Sequence, residues 1–160
     1  MRIGVGYDVH RLRSGRPLVI GGATIPFSKG LEGHSDADVL LHAVCDALLG
    51  AAGEGDIGMH FPDSDPRYKN ANSLQLLNAT VKIIRAQGLG VSNLDSTVFA
   101  EAPKLHPFRE EMQHNIARTI GIDPRCINVK ATTTEGLGYI GRGEGIAAMC
   151  VVLLVDSAGI

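Results

Sequence analysis

The sequence predicts an α+β fold, a single-domain protomer with a mixed sheet covered on one face by helices. Three observations carry that expectation. Both ends have strand character: Met1–His10 alternates large and small or polar residues, and Ile146–Val155 is a short apolar run. Between them lie three stretches with apolar residues at helical spacing. The chain has 160 residues, 44% of them hydrophobic, which suits one domain over 1–160 with its own core.

Taken in order, Ile3, Val5, Tyr7 and Val9 fall on one face of the first strand, and Arg2, Gly4, Gly6, Asp8 and His10 on the other. This is the pattern of a half-buried strand. Pro17–Ile20 and Ala23–Pro26 flank Gly21-Gly22 and read as a short hairpin. Ser35 is placed as the N-cap of the first helix, with Asp38 as its capping-box partner. Leu40, Ala43, Val44, Ala47, Leu48 and Ala51 then form one apolar stripe, and Gly53 ends it. Gly55–Lys69 reads as a loop rich in Gly, Pro and Asp. Ser73–Gln87 is a second helix closed by Gly88, and Val91–Ala100 a strand. Pro107–Ile120 is a third helix, with Glu110 and Glu111 early and Arg118 late, as the macrodipole favours. Ile127–Thr132 and Gly145–Val155 are the closing strands.

Composition narrows the function. The net charge is −2, with no basic run or aromatic-basic stripe, so no nucleic acid partner is expected. No apolar stretch reaches the ~18 residues of a membrane span, and no secretory signal pattern opens the chain. Cys45, Cys126 and Cys150 are odd in number and widely separated, which points to a reducing, cytoplasmic setting. Charged residues make up 20%, slightly low, which suggests that some surface is covered by partner subunits.

Chemistry concentrates in three places. Asp8 and His10 project from the same strand face as a D-x-H pair, and His42 lies away from its helix's apolar stripe. Two His and one Asp suit zinc with an open coordination position. An ordinary strand end and a surface histidine would explain the same residues. Asp56, Asp63 and Asp65 lie in the polar loop, where turn capping competes with substrate contact. Lys130-Ala131-Thr132-Thr133-Thr134-Glu135-Gly136 follows a strand, and its hydroxyls, N–H groups and carboxylate suit phosphate and a hard cation. A Thr-rich strand end with a solvated Glu is the plainer alternative.

Together these segments resemble the 2-C-methyl-D-erythritol 2,4-cyclodiphosphate synthase family. The likeness runs in order through Arg2–His10, Gly33–Asp38, Gly55–Gly58, Phe61–Pro66, Ala102–Lys104, Lys130–Glu135 and Gly141–Gly145. It implies a phosphorus–oxygen lyase of non-mevalonate isoprenoid biosynthesis, assembled as a homotrimer with sites between subunits. It implies Zn²⁺ on Asp8, His10 and His42, and Mg²⁺ or Mn²⁺ near the substrate diphosphate on Glu135. His34 and Thr133 are implied as catalytic. Ser35 lies beside the phosphates. Asp56, Gly58 and Asp63 are implied on the methylerythritol side, and Ile57 and Phe61 as further substrate-binding residues. Ala100, Pro103, Lys104, Leu105, Ala131, Thr132 and Thr133 are implied on the cytidine diphosphate side, supplied by the neighbouring subunit. Tyr7, Arg142 and Glu144 are implied to line a central cavity that accepts an isoprenoid diphosphate. Two rivals use the same residues: a zinc phosphoesterase activating water, and a trimeric isoprenoid-diphosphate binding protein with a structural zinc.

Overall fold

Thirteen residues, Arg2–Ser14, form the first strand, β1. The computed structural model describes residues 1–62, 64–68 and 71–157. Three short strands follow: β2 (Leu18–Ile20), β3 (Ala23–Ile25) and β4 (Lys29–Leu31). Helix α1 (Val39–Ala52) comes next, then the short α2 (Ile57–His60) and the longer α3 (Ser73–Ala86). Strand β5 (Leu89–Phe99) leads to α4 (Arg109–Ile120), β6 (Ile127–Thr132), the short α5 (Gly138–Gly141) and β7 (Gly145–Asp156). A five-stranded sheet has the order β4-β1-β7-β5-β6, and β2-β3 form a separate ribbon. Only β5–β6 is parallel, so the sheet is mixed. Helices α1, α3 and α4 bury their apolar sides over one face, as expected.

The alternation in β1 is present, and the face with the glycines, not the face with the large apolar residues, is the buried one. Gly4 and Gly6 form the buried face, and Ile3 is 72% and Val9 42% exposed, with Val5 and Tyr7 between them in exposure. The reason is a close helix–strand approach. A methyl on Gly6 would lie 2.7 Å from Ala47 N, and one on Gly4 2.7 Å from Ala51 N. The helix rests on bare strand backbone, and the large apolar side chains point the other way. Met149 and Val151 of β7 extend this open apolar face.

Other corrections are local. Asp38, not Ser35, caps α1, because Ala37 takes a left-handed conformation (φ 57°) that keeps it outside the helix. Asp38 accepts N–H bonds from Leu41, Gly21 and Gly22, tying the hairpin turn to the helix start. Ser35 Oγ accepts from Ala37 N instead. The stretch read as loop from Gly55 contains α2 and a 3₁₀ turn, Pro66–Tyr68. The predicted third helix opens with a separate 3₁₀ turn, His106–Phe108. Helix α1 is buried almost all round, Cys45 and Leu49 included. Its two polar side chains, His42 and Asp46, lie one turn apart and are part-exposed.

Candidate metal centre

Asp8 and His10 point from the buried face of β1 towards α1, and His42 meets them from the helix. Asp8 Oδ2 lies 2.9 Å from His10 Nε2 and 3.0 Å from His42 Nδ1, and those nitrogens are 3.1 Å apart. A tetrahedral ion with bonds of about 2.0–2.1 Å spaces its ligand atoms about 3.3 Å apart. The triangle is close to that size and leaves one vertex free.

The hydrogen bonding behind His10 sharpens the point. His10 Nδ1 is 2.8 Å from the Glu32 carbonyl oxygen, which only accepts, so Nδ1 carries a proton. A neutral His10 therefore turns its Nε2 lone pair towards the Asp8 carboxylate. That arrangement needs a positive charge, either a further proton or a metal ion. The titration directions express the same field. Burial pushes Asp8 up, but contact with His10 and then His42 outweighs it and holds the carboxyl well below the usual range. Burial pushes His10 down, but Asp8 outweighs it and raises its pKa.

These residues line a cavity of about 390 Å³. Of the expected site residues it contains Asp8, His10, His34, Ser35, His42, Ile57, Gly58 and Phe61. Asp56 caps α2 by accepting from Met59 N at 2.9 Å, and Asp63 lies outside the described residues. Asp65 pairs with Arg67, the plain turn role. Five residues not expected in the site from sequence also line the cavity: Gly33, Asp46, Pro62, Tyr68 and Leu76. Asp46 was legible, being one turn from His42; it accepts from Ile57 N at 2.8 Å and so anchors α2 to α1. Tyr68 stacks edge-on against Phe61, a contact the sequence spacing gives no sign of.

The remaining expected residues gather elsewhere. Leu105 and Ala131 line a second cavity of about 250 Å³ with Lys130 and Arg109. Beyond Thr132, Thr133–Gly136 leave the sheet. Glu101 Oε1 holds this turn, accepting from Thr134 N (2.8 Å), Thr134 Oγ1 (3.1 Å) and Gly136 N (3.3 Å). Glu135 takes φ 54° there, and Thr133 Oγ1 donates to its carboxylate at 3.1 Å. Sheet register relates the two regions: Asp8 pairs with Ala148, Ala148 with Val98, and Val98 with Ala131. They lie in one transverse row, three strand steps of about 4.8 Å apart. On the open face, Tyr7 Oη meets Tyr139 Oη at 2.8 Å, next to the Arg142–Glu144 pair at 2.6 Å.

A model of the YgbB family matches residues 1–155. The chain belongs to the YgbB family. Among relatives of this YgbB-family chain, proteins named 2-C-methyl-D-erythritol 2,4-cyclodiphosphate synthase are highly similar. That of Desulfatibacillum aliphaticivorans is 67% identical over 154 residues, covering 96% of this chain and 99% of the relative. That of Pelotomaculum thermopropionicum is 63% identical over 154 residues, covering 96% and 95%. Among solved structures, a 2C-methyl-D-erythritol-2,4-cyclodiphosphate synthase in a CDP-bound form superposes with a TM-score of 0.89 at 38% identity, covering 96% of this chain and 100% of that one. The bifunctional IspDF of Campylobacter jejuni gives 0.94 at 48% identity, with 98% of this YgbB-family chain matching 43% of that longer protein.

Proposed function

We propose that this chain is a 2-C-methyl-D-erythritol 2,4-cyclodiphosphate synthase. Its substrate is 4-diphosphocytidyl-2-C-methyl-D-erythritol 2-phosphate, and it acts as a phosphorus–oxygen lyase of non-mevalonate isoprenoid biosynthesis. Near full-length identity in both directions to proteins of that name supports the reading. The observation that carries it in the molecule is the convergence of Asp8 Oδ2, His10 Nε2 and His42 Nδ1 on one point beside an open cavity.

In the reaction a 2-phosphate oxygen attacks the β-phosphorus, the bond to the α-phosphate oxygen breaks, and CMP leaves with the electron pair. Both reacting groups belong to one molecule, so the protein acts mainly by folding the substrate for in-line attack. Asp8, His10 and His42 are the residues to hold Zn²⁺, and Glu135 to meet Mg²⁺ or Mn²⁺. Bound there, these ions supply Lewis-acid polarisation of the phosphates and neutralise charge on the departing CMP. His34 and Ser35, which line the cavity, flank the phosphates. Gly58, Ile57 and Phe61, with Asp56 and Asp63, shape the methylerythritol end. Thr132, Thr133 and the N–H groups of their turn supply donors to phosphate oxygens. Ala100, Pro103, Lys104, Leu105 and Ala131 form the cytidine side.

The working unit in this reading is a homotrimer in which that cytidine side faces the metal centre of a neighbour. The open apolar face of β1 and β7 supports it, being the surface a neighbour would cover. Tyr7, Arg142 and Glu144 then lie around a central cavity suited to an isoprenoid diphosphate. No helix among the described residues is long and apolar enough to cross a membrane, and three free cysteines suit a cytoplasmic setting.

The test is ³¹P NMR of the purified protein with this substrate, Zn²⁺ and Mg²⁺. Cyclic diphosphate and CMP are expected, abolished by chelator and nearly abolished in His42→Ala. Linear hydrolysis products, or full activity in His42→Ala, would overturn the assignment.

A further inference from the structure

We infer that Asp36 and Ser73 form a positioning relay that sets the tautomer and ring orientation of His42 for a metal ion. The inference rests on the reading of Asp8, His10 and His42 as a metal centre. Ser73 is the first residue of α3 and is fully buried. Asp36 stands in the turn before α1. Asp36 Oδ2 accepts from Ser73 N at 2.9 Å, and Asp36 Oδ1 accepts the Ser73 hydroxyl proton.

The direction of that last bond decides the rest. A serine hydroxyl has one proton, and here Asp36 takes it. The Ser73 oxygen therefore offers only lone pairs to His42 Nε2, 3.1 Å away. Against Ser73 an unprotonated Nε2 would set lone pair against lone pair, so this contact favours the tautomer with the ring proton on Nε2. Ser35 Oγ, also at 3.1 Å, accepts from Ala37 N and shares the Nε2 proton in that tautomer, its own hydroxyl proton being turned away from the ring. His42 Nδ1 is left with a free lone pair, and it is this atom that faces Asp8 and His10.

The two histidines are thus held differently. His10 is backed by a neutral backbone carbonyl, whereas His42 is backed by a hydroxyl that a carboxylate polarises. A carboxylate behind a metal-binding histidine fixes its orientation and strengthens it as a donor. Here a buried serine is interposed, and the chain of bonds is cooperative. The relay also ties the start of α3 to the metal centre across 31 residues of sequence.

The competing account is that Asp36 and Ser73 only pin α3 to the turn. Zinc affinity, measured by competition with a chromophoric chelator, and the visible spectrum of the Co²⁺-loaded protein separate the two. Ser73→Ala and Asp36→Asn are each expected to weaken Zn²⁺ binding by about 10- to 100-fold and to shift the Co²⁺ bands. Ser73→Thr, which keeps the hydroxyl, is expected to stay closer to the parent in both. Because the groups act in series, the double variant should bind no more weakly than the weaker single variant. Single variants that fold as the parent does, with Zn²⁺ affinity within about twofold and unchanged Co²⁺ bands, would overturn the relay, as would additive losses. A parent protein that binds neither Zn²⁺ nor Co²⁺ would instead remove the metal reading beneath it.

Discussion

Gly6→Ala should disable the metal centre without touching a ligand. The added methyl would sit 2.7 Å from Ala47 N and 2.9 Å from Ala43 C, with the Ala43 carbonyl oxygen nearer still. Relaxed contact needs about 3.5 Å, so α1 must retreat from β1 by about 0.8 Å to clear Ala47 N alone. Overpacking of this kind costs about 1–3 kcal/mol, and a domain of this size commonly survives it. The metal centre does not share that tolerance. Asp8 and His10 sit on the strand and His42 on the helix, one residue from Ala43, and ligand distances tolerate only about ±0.2 Å. Zinc affinity should fall by at least about 100-fold, some 2.7 kcal/mol. Gly50→Ala is the control. It lies on the same helix, and its methyl would come no closer than 4.0 Å to Val5 O. It should bind zinc normally and gain up to about 1 kcal/mol from helix propensity. The assay pairs chelator-competition zinc titration with urea unfolding. A folded Gly6→Ala protein with zinc affinity within about threefold of the parent would refute the reasoning.

Removing the Glu101 carboxylate should loosen the turn that carries Thr133 and Glu135. Glu101→Ala is expected to raise KM about tenfold and speed amide exchange at Thr134 and Gly136, while Glu101→Gln keeps most of both; unchanged exchange in the alanine variant would count against it. Val5→Asp places a charge in the middle of the open apolar face, so sedimentation equilibrium should show mainly monomer; an intact trimer would mean that this face is not the interface. Asp38 gives a pH signature. Burial pushes its carboxyl up to about 6 despite three backbone N–H bonds. Between about pH 4 and 6 the native state then holds a proton that the unfolded chain has released. The contribution is fully present below that window and is lost as pH rises through it. The stability of the parent relative to Asp38→Asn should fall from about pH 4 to about pH 6, and a constant difference in urea midpoints would refute this.

The layered fold was legible because its signals are large side chains at regular periods. Leu77, Val81 and Ile84 on α3, and Met112, Ile116 and Ile120 on α4, are all buried as their spacing requires. The choice of buried face in β1 has one physical source. Period-2 reasoning assigns the core to the face with bulky apolar residues, but here the core contact is made by the absence of side chains. Gly4 and Gly6 let a helix rest on the strand, and nothing in an alternating pattern distinguishes that from a solvent face. The misplaced cap of α1 has a similar origin. Ser35 and Asp38 are both capable caps, and the choice was made by the left-handed turn at Ala37, a residue with no local preference for it. Asp8, His10 and His42 were readable as a group because strand parity and the helix wheel fix directions. Glu101 and the Asp36–Ser73 pair were not, since each acts on a segment more than thirty residues away and follows no local period.

The same sheet that makes the metal centre legible also sets the proposed cytidine side of one chain apart from that chain's own metal centre. Asp8 and Ala131 belong to one row of paired residues, separated by β7 and β5. Three strand steps amount to about 14 Å, and a hydrogen-bonded sheet packed under three helices does not fold to close that gap. No rotamer change at Thr132 or Thr133 spans it either. In the proposed trimer, a substrate carrying its cyclising phosphates at the metal and its nucleotide in the cavity beside Ala131 would draw the two ends from different copies. The residues that would bring those copies together are Ile3, Val5, Tyr7 and Val9, the face that the chain leaves uncovered. Their exposure and the division of the site are then two consequences of one arrangement, and Val5→Asp should abolish association and turnover together while leaving the zinc triangle of each monomer intact.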